Sequence, residues 1–406
     1  MVPEAFLRHV AALMLAALAL CVLPRPAHAT VPVNATPRIG VATMAPGEVF
    51  FERFGHNAII VQDPVAQETW SYNFGMFDMG EDGFVGRFID GRMVYRLAKL
   101  RWEEDLANYE RSGRGVTIQW LRLAPEQALA LAAALDENAL PENAAYRYDY
   151  FLDNCATRVR DALDQALGGL LQRQMSVRSA GDTFRSEAVR LASPAPWMAL
   201  GFDFGLGPSS DRPLSRWEDA YVPMRLADSL AEVRLPDGRP LVNSEVEVAP
   251  HTAAPEPLEF QRLWWAWLLS GLVASIAWWQ LRKRSPRLAA GLVGAFWLVS
   301  ALLGTVMALL WVGTEHRFAW ANRNLFLASP LMFLLLPGAW AMLRGRTPGR
   351  GFRIALALAC AGVVMGLFGY WLSALPQANA HWIALALPLY ATFAMAWLVP
   401  AERSPA

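Results

Sequence analysis

Cys155 has the strongest claim to chemistry in this chain. It lies in YDYFLDNCATRVRDAL, where Asp153 and Asn154 are residue types favoured at helix N-caps, so the pattern predicts Cys155 in the first turn of a helix. Free N–H groups and the positive end of the helix dipole favour a thiolate there. Arg158 adds a cation one turn further on and is itself a candidate substrate contact. Such a setting lowers a thiol pKa from ~8.5 to about 3.5–7.5, and a thiolate at neutral pH is a ready nucleophile. The plainer reading is a buried, inert cysteine.

A thiolate nucleophile needs a base. His56, in RFGHNAIIV, opens a predicted strand over 56–62, whereas His251 falls in a Pro-rich stretch and is set aside. A histidine on a rigid strand facing a cysteine at a helix N-terminus is the papain-like arrangement. Asn73 and Asp78 lie on nearby segments and are both candidates to orient the imidazole; Asn57 belongs to the other face of its strand. The backbone N–H of Cys155, with Asn154 as a side-chain donor, would meet an oxyanion. Farther on, GTEHRFAWANRN groups Glu315, His316, Arg317, Asn322 and Asn324. Such a set suits a lipid headgroup or an acceptor, with Arg317 and Arg323 suited to a phosphate. The plainer reading of that segment is ordinary loop polarity.

These residues need elements to hold them, and composition divides the chain. The 406 residues are 54% hydrophobic and 18% charged, with a formal net charge of zero. Nothing in that balance calls for nucleic acid, and no Cys/His cluster of zinc type calls for a metal or other cofactor. An N-terminal run with Arg8 and His9, then an apolar stretch over 10–23 and Ala27-His28-Ala29, reads as a secretory signal over 1–29. Leu20 before Cys21 argues against a lipoprotein signal. Cys360 lies in an apolar segment, so Cys155 is the lone thiol of the exported part and has no internal disulfide partner.

Residues 30–261 read as an exported α+β domain and linker, with its core at about 40–170. Strands are expected at 30–45, 57–61, 70–74, 94–100 and 116–123, helices at 126–138 and from Asp153 to Leu167, and a loop over 78–92. Segment 170–250 is less readable, with about two helices, and 236–260 reads as a last strand and linker. Residues 262–406 read as an all-α bundle of five transmembrane helices at about 263–281, 288–312, 325–343, 354–373 and 382–399. Arg282, Lys283, Arg284 and Arg287 in one loop, and Arg344, Arg346, Arg350 and Arg353 in another, place those loops and the C-terminus in the cytoplasm. Loops 313–324 and 374–381 then face outward, on the same side as Cys155 and His56.

The runs FFERFGHNAIIV, SYNFGMFD and YRYDYFLDNCATRVRDAL resemble the N-terminal periplasmic domain of the Lnb family of lipoprotein N-acyltransferases. TEHRFAWANRNLFLASP resembles the transmembrane domain of the same family. The resemblance implies a papain-like periplasmic fold, permuted so that His precedes Cys, in a bacterial inner-membrane protein. It implies Cys155 as nucleophile and His56 as base, taking an acyl chain from a membrane glycerolipid as donor to the N-terminal amine of a lipoprotein as acceptor. A membrane-tethered cysteine hydrolase would use the same pair, with water in place of the amine.

Overall fold

The computed structural model describes residues 36–177, 181–258, 262–374 and 376–399, so the expected signal segment lies outside the described residues. The N-terminal domain is built on one antiparallel sheet of seven strands, ordered β6-β4-β3-β2-β1-β5-β7. These are β1 (Arg38–Met44), β2 (His56–Asp63), β3 (Glu68–Met76), β4 (Val94–Arg101), β5 (Val116–Leu121), β6 (Ala145–Arg147) and β7 (Val242–Ala249). The domain's helices are α1 (Phe84–Asp90), α2 (Trp102–Arg111), α3 (Pro125–Asn138), α4 (Cys155–Ala166), α5 (Leu170–Met175), α6 (Phe184–Ala192), α7 (Pro196–Gly205), α8 (Arg216–Asp219) and α9 (Pro223–Glu232).

The continuous apolar run of β2 has a physical reason: both faces of the sheet are covered. Ile59 and Val61, with Ile39 and Val41 of β1, pack against α3, α4, α5 and α9 through Leu131, Val159, Leu171 and Leu226. The alternate residues Ala58 and Ile60, with Ala42 and Met44, pack under α2 through Trp102. Pairing in register, Met44 with His56 and Ile59 with Tyr72, fixes which side chains share a face.

Several expectations need correction. Segment 78–92 is not all loop, because Gly83 and Gly91, both at positive φ, bracket the short helix α1. Its Gly- and Asp-rich surroundings masked it. Helix α2 was not anticipated, although Glu103, Glu104 and Asp105 in its first turn are an N-terminal signal. Among its described residues, segment 170–250 holds five short helices, α5 to α9, rather than about two, and β7 closes the sheet beside β5.

The C-terminal region is helical: α10 (Trp264–Arg284), α11 (Pro286–Gly313), α12 (Leu336–Leu343), α13 (Arg350–Leu372) and α14 (Ala380–Trp397). Four segments are long and apolar enough to cross a membrane: Pro286–Gly313, Arg323–Leu343, Arg350–Leu372 and Ala380–Trp397. The second of these begins with 3-10 turns, Arg323–Phe326 and Pro330–Leu335, before it becomes α12. Helix α10 is not among the four, because the indole N–H groups of Trp264, Trp265, Trp267, Trp278 and Trp279, with the polar Gln280, lower its mean hydropathy. It lies tightly along α14, where Gly271 meets the Leu385 carbonyl with no room for a Cβ. At the opposite end of this pair Arg282 donates to the Ala396 carbonyl at 3.0 Å.

Candidate active site

Asn154 caps α4, its Oδ1 accepting from the Thr157 N–H at 3.0 Å while Thr157 Oγ1 accepts from the Asn154 N–H at 2.7 Å. This cap places Cys155 at the first helical position, at the end of the sheet where β2 begins. The partly buried His56 ring faces the Cys155 thiol closely enough for each to shift the other's charge. The backbone bends to allow this approach. Gly75 sits at φ +89°, within an irregular stretch of the β3–β4 pairing, and a Cβ built on it would lie 3.6 Å from the Cys155 Cβ.

Of the two candidates to orient the ring, Asn73 does so. Its Oδ1 accepts from His56 Nε2 at 2.9 Å, which leaves Nδ1 for the thiol. Asp78 instead accepts from the Gly80 N–H at 2.8 Å in an exposed turn. The Asn73 amide is fixed in turn: Nδ2 donates to Asp105 Oδ2 at 2.9 Å and to Ser71 Oγ at 3.1 Å, and Ser71 Oγ donates to the same carboxylate at 2.7 Å. Tyr109, also on α2, stacks on the His56 ring at 6.4 Å between centroids. Asp105, Ser71 and Tyr109 were not singled out in the sequence. The alternation of Ser71 and Asn73 on one strand face was the signal that pointed to them.

The electrostatics favour a charged pair. Burial pushes the Cys155 thiol up, but the His56 ring, by charge and hydrogen bond, and the N–H groups of Asn57 and Ala156 outweigh it and hold the thiol below its ordinary value. Burial pushes His56 down, while Cys155 and the bond to Asn73 outweigh it and hold the imidazole above its ordinary value. Arg158 is not part of this balance: it is paired with Asp153, through Nη2–Oδ2 at 2.7 Å among other contacts, and lies over the Tyr146 ring.

Asn154 has no hydrogen left for an oxyanion, because Nδ2 donates to the carbonyls of Tyr150 at 3.1 Å and Tyr221 at 2.9 Å. The Tyr146 hydroxyl is different. It is buried, has no acceptor for its hydrogen among the described residues, and lies 3.8 Å from the Cβ position on Gly75, beside Cys155.

The loop after α11 meets this domain directly. Glu315 pairs with Arg147 at 2.6 Å and Arg92 at 3.2 Å, and Arg317 reaches Asp149 at 3.6 Å. His316 Nε2 donates to the Phe88 carbonyl at 3.0 Å, and the Tyr150 hydroxyl donates to its Nδ1 at 3.2 Å. Asn322 and Asn324 are buried, and both donate Nδ2 to the Phe204 carbonyl at 2.8 Å. Their Oδ1 atoms accept from Gln377 and Asn379, each at 2.9 Å. Both asparagines therefore serve the junction between domains. Below them, Asp203 is buried against His381, Trp382 and Arg262, the last at 2.7 Å.

A sheet-rich domain bonded to the outer loops of a membrane-spanning helical region is thus the class of protein that the fold defines. Two family models match it: the Lnb N-terminal periplasmic domain over residues 31–189 and the Lnb transmembrane domain over residues 256–400. The chain belongs to the Lnb family, and so is a membrane-associated enzyme of lipoprotein processing, an inner-membrane protein with a periplasmic N-terminal domain. Neither a curated protein nor a solved structure gives a significant match.

Proposed function

We propose that the chain is a thiol acyltransferase that moves a fatty acyl chain from a membrane glycerolipid, through a Cys155 thioester, to the N-terminal amine of a lipoprotein. One observation carries this reading: Cys155, His56 and Asn73 come together in that order, the ring bonded to Asn73 and electrostatically matched to the thiol, at the end of a sheet docked on the outer loops of the membrane region. The Cys–His–Asn order of contacts is the papain-like one, here with His56 before Cys155 in the chain.

In the first step the Cys155 thiolate attacks the ester carbonyl. The resulting oxyanion is met by backbone N–H groups at the start of α4 and by the Tyr146 hydroxyl. The lysolipid oxygen leaves with the proton held on His56, and the thioester remains. In the second step the acceptor amine attacks the thioester carbonyl, His56 takes the amine proton, and the thiolate departs. A hydrolase would share the first step and differ only in its acceptor. The topology fits this reading with α10 as a fifth span and a cytoplasmic C-terminus. The exposed Leu269, Leu272, Val273 and Ile276 on α10 suit lipid.

The test is to hold the purified chain in phospholipid vesicles without acceptor and map Cys155 by mass spectrometry. An acyl chain on Cys155, removed by neutral hydroxylamine and absent in His56→Ala, is the expected result. An unmodified Cys155 in fully folded protein contradicts the reading.

A further inference from the structure

A run of rings leads from Cys155 to the outer loop of the membrane region. Tyr148 lies beside Gly75 and so beside the thiol, and Tyr95 packs on it with ring centroids 4.3 Å apart. Phe77 is 4.8 Å from Tyr95, Phe84 is 5.6 Å from Phe77, and Phe88 is 6.4 Å from Phe84. The last two rings belong to α1, a helix with no buried residue. On its open side Val85 is 64% and Ile89 61% exposed. Isolated exposed apolar residues are ordinary, but a contiguous set joined to a reactive centre marks a surface with a partner.

The position of α1 identifies that partner. The helix is bonded to the loop after α11: His316 Nε2 donates to the Phe88 carbonyl at 3.0 Å, and the Glu315 N–H donates to the Asp90 carbonyl at 2.8 Å. Gly91, which ends α1, lies so close that a Cβ would meet the His316 nitrogen at 2.9 Å. Val312, at the end of the spanning helix α11, is 80% exposed and only four residues before His316. The open face of α1 therefore stands at the level where a lipid-facing helix leaves the bilayer. A short helix with an apolar face at this depth is suited to lie in the interface.

We propose that α1 dips into the outer leaflet of the membrane, and that the rings behind it guide phospholipid acyl chains from the leaflet to Cys155. The identity of what travels rests on the acyl-transfer reading; the seat in the bilayer does not.

Depth measurement tests the seat on the full-length chain. In a background of Cys21→Ala, Cys155→Ser and Cys360→Ala, nitroxides are placed at Val85→Cys, Ile89→Cys and Val65→Cys, and the protein is reconstituted in phosphatidylethanolamine and phosphatidylglycerol vesicles. Val65, 71% exposed in the turn after β2, is at the far end of the sheet and serves as the aqueous reference. Labels at 85 and 89 are expected to be open to oxygen and shielded from a nickel chelate, with the reverse at 65. Chelate access equal to that at Val65 overturns the seat and points to water or a protein partner.

Acylation tests the guide. In Val85→Asp/Ile89→Asp with Cys155 retained, acylation from vesicle phospholipid is expected to fall roughly tenfold or more, while iodoacetamide labels Cys155 as before. An unchanged acylation rate overturns the guide. Absence of acylation in the unmutated chain, with both nitroxides at bilayer depth, instead sinks the acyl-transfer reading and leaves the seat standing.

Discussion

At the scale of single residues, Cys155 and His56 depend on each other for their charge. The thiol lies low because the ring faces it, and the ring titrates high because the thiolate and Asn73 face it. The sign of a pH effect follows. The thiolate exists above the lowered thiol pKa, so alkylation of Cys155 by iodoacetamide, read at its own peptide, should have its pH midpoint below that of an ordinary thiol. In His56→Ala the largest favourable partner is gone while burial remains, and the midpoint should rise to or above the ordinary thiol value of ~8.5. Equal midpoints in the two proteins would remove the pair from the account. The cysteine and histidine were legible because each carries a local signal: a cap before the first, a strand start at the second. The oxyanion donor was not. Asn154 was correctly expected to cap, but its amide hydrogens are committed to Tyr150 and to Tyr221, a contact spanning 67 positions that no local pattern displays.

At the scale of elements, the unforeseen helix α2 is what holds the site's second layer. It supplies Asp105 behind Asn73 and Tyr109 against His56. The strands near the site were readable by their alternation, and α3 and α4 by their composition and caps. Helix α2 was not, since it follows β4 without a break and carries few apolar residues. Asp105 acts as a positioning residue, so its loss should act through the ring. Removing it leaves the donors of Ser71 and Asn73 unmet, at a cost of about 1–3 kcal/mol. Asp105→Ala should lower kcat for acylation on the order of tenfold to a hundredfold with little change in KM. Asp105→Asn, which keeps an acceptor oxygen, should recover most of it. A fall in thermal stability with kcat intact would make Asp105 structural only.

For the whole molecule, the division into an exported sheet domain and a helical membrane region was visible in composition, and the contact between them was not. Asn322 and Asn324 reach the Phe204 carbonyl, Asp203 reaches His381 and Arg262, and His316 reaches Phe88. The polar residues around His316, Asn322 and Asn324 join the two regions. That joint suits the proposed reaction, whose lipid donor and lipid-anchored acceptor would both reside in the membrane. The most direct measurement of acyl transfer is therefore made on the product. A reporter lipoprotein is recovered from cells depleted of their own lipoprotein N-acyltransferase but expressing this chain, and its N-terminal peptide is weighed. The account predicts an amide-linked acyl chain on the N-terminal cysteine with the unmutated chain, and a free amine with Cys155→Ala or His56→Ala. A free amine in all three, with the unmutated protein folded and in the membrane, would contradict it.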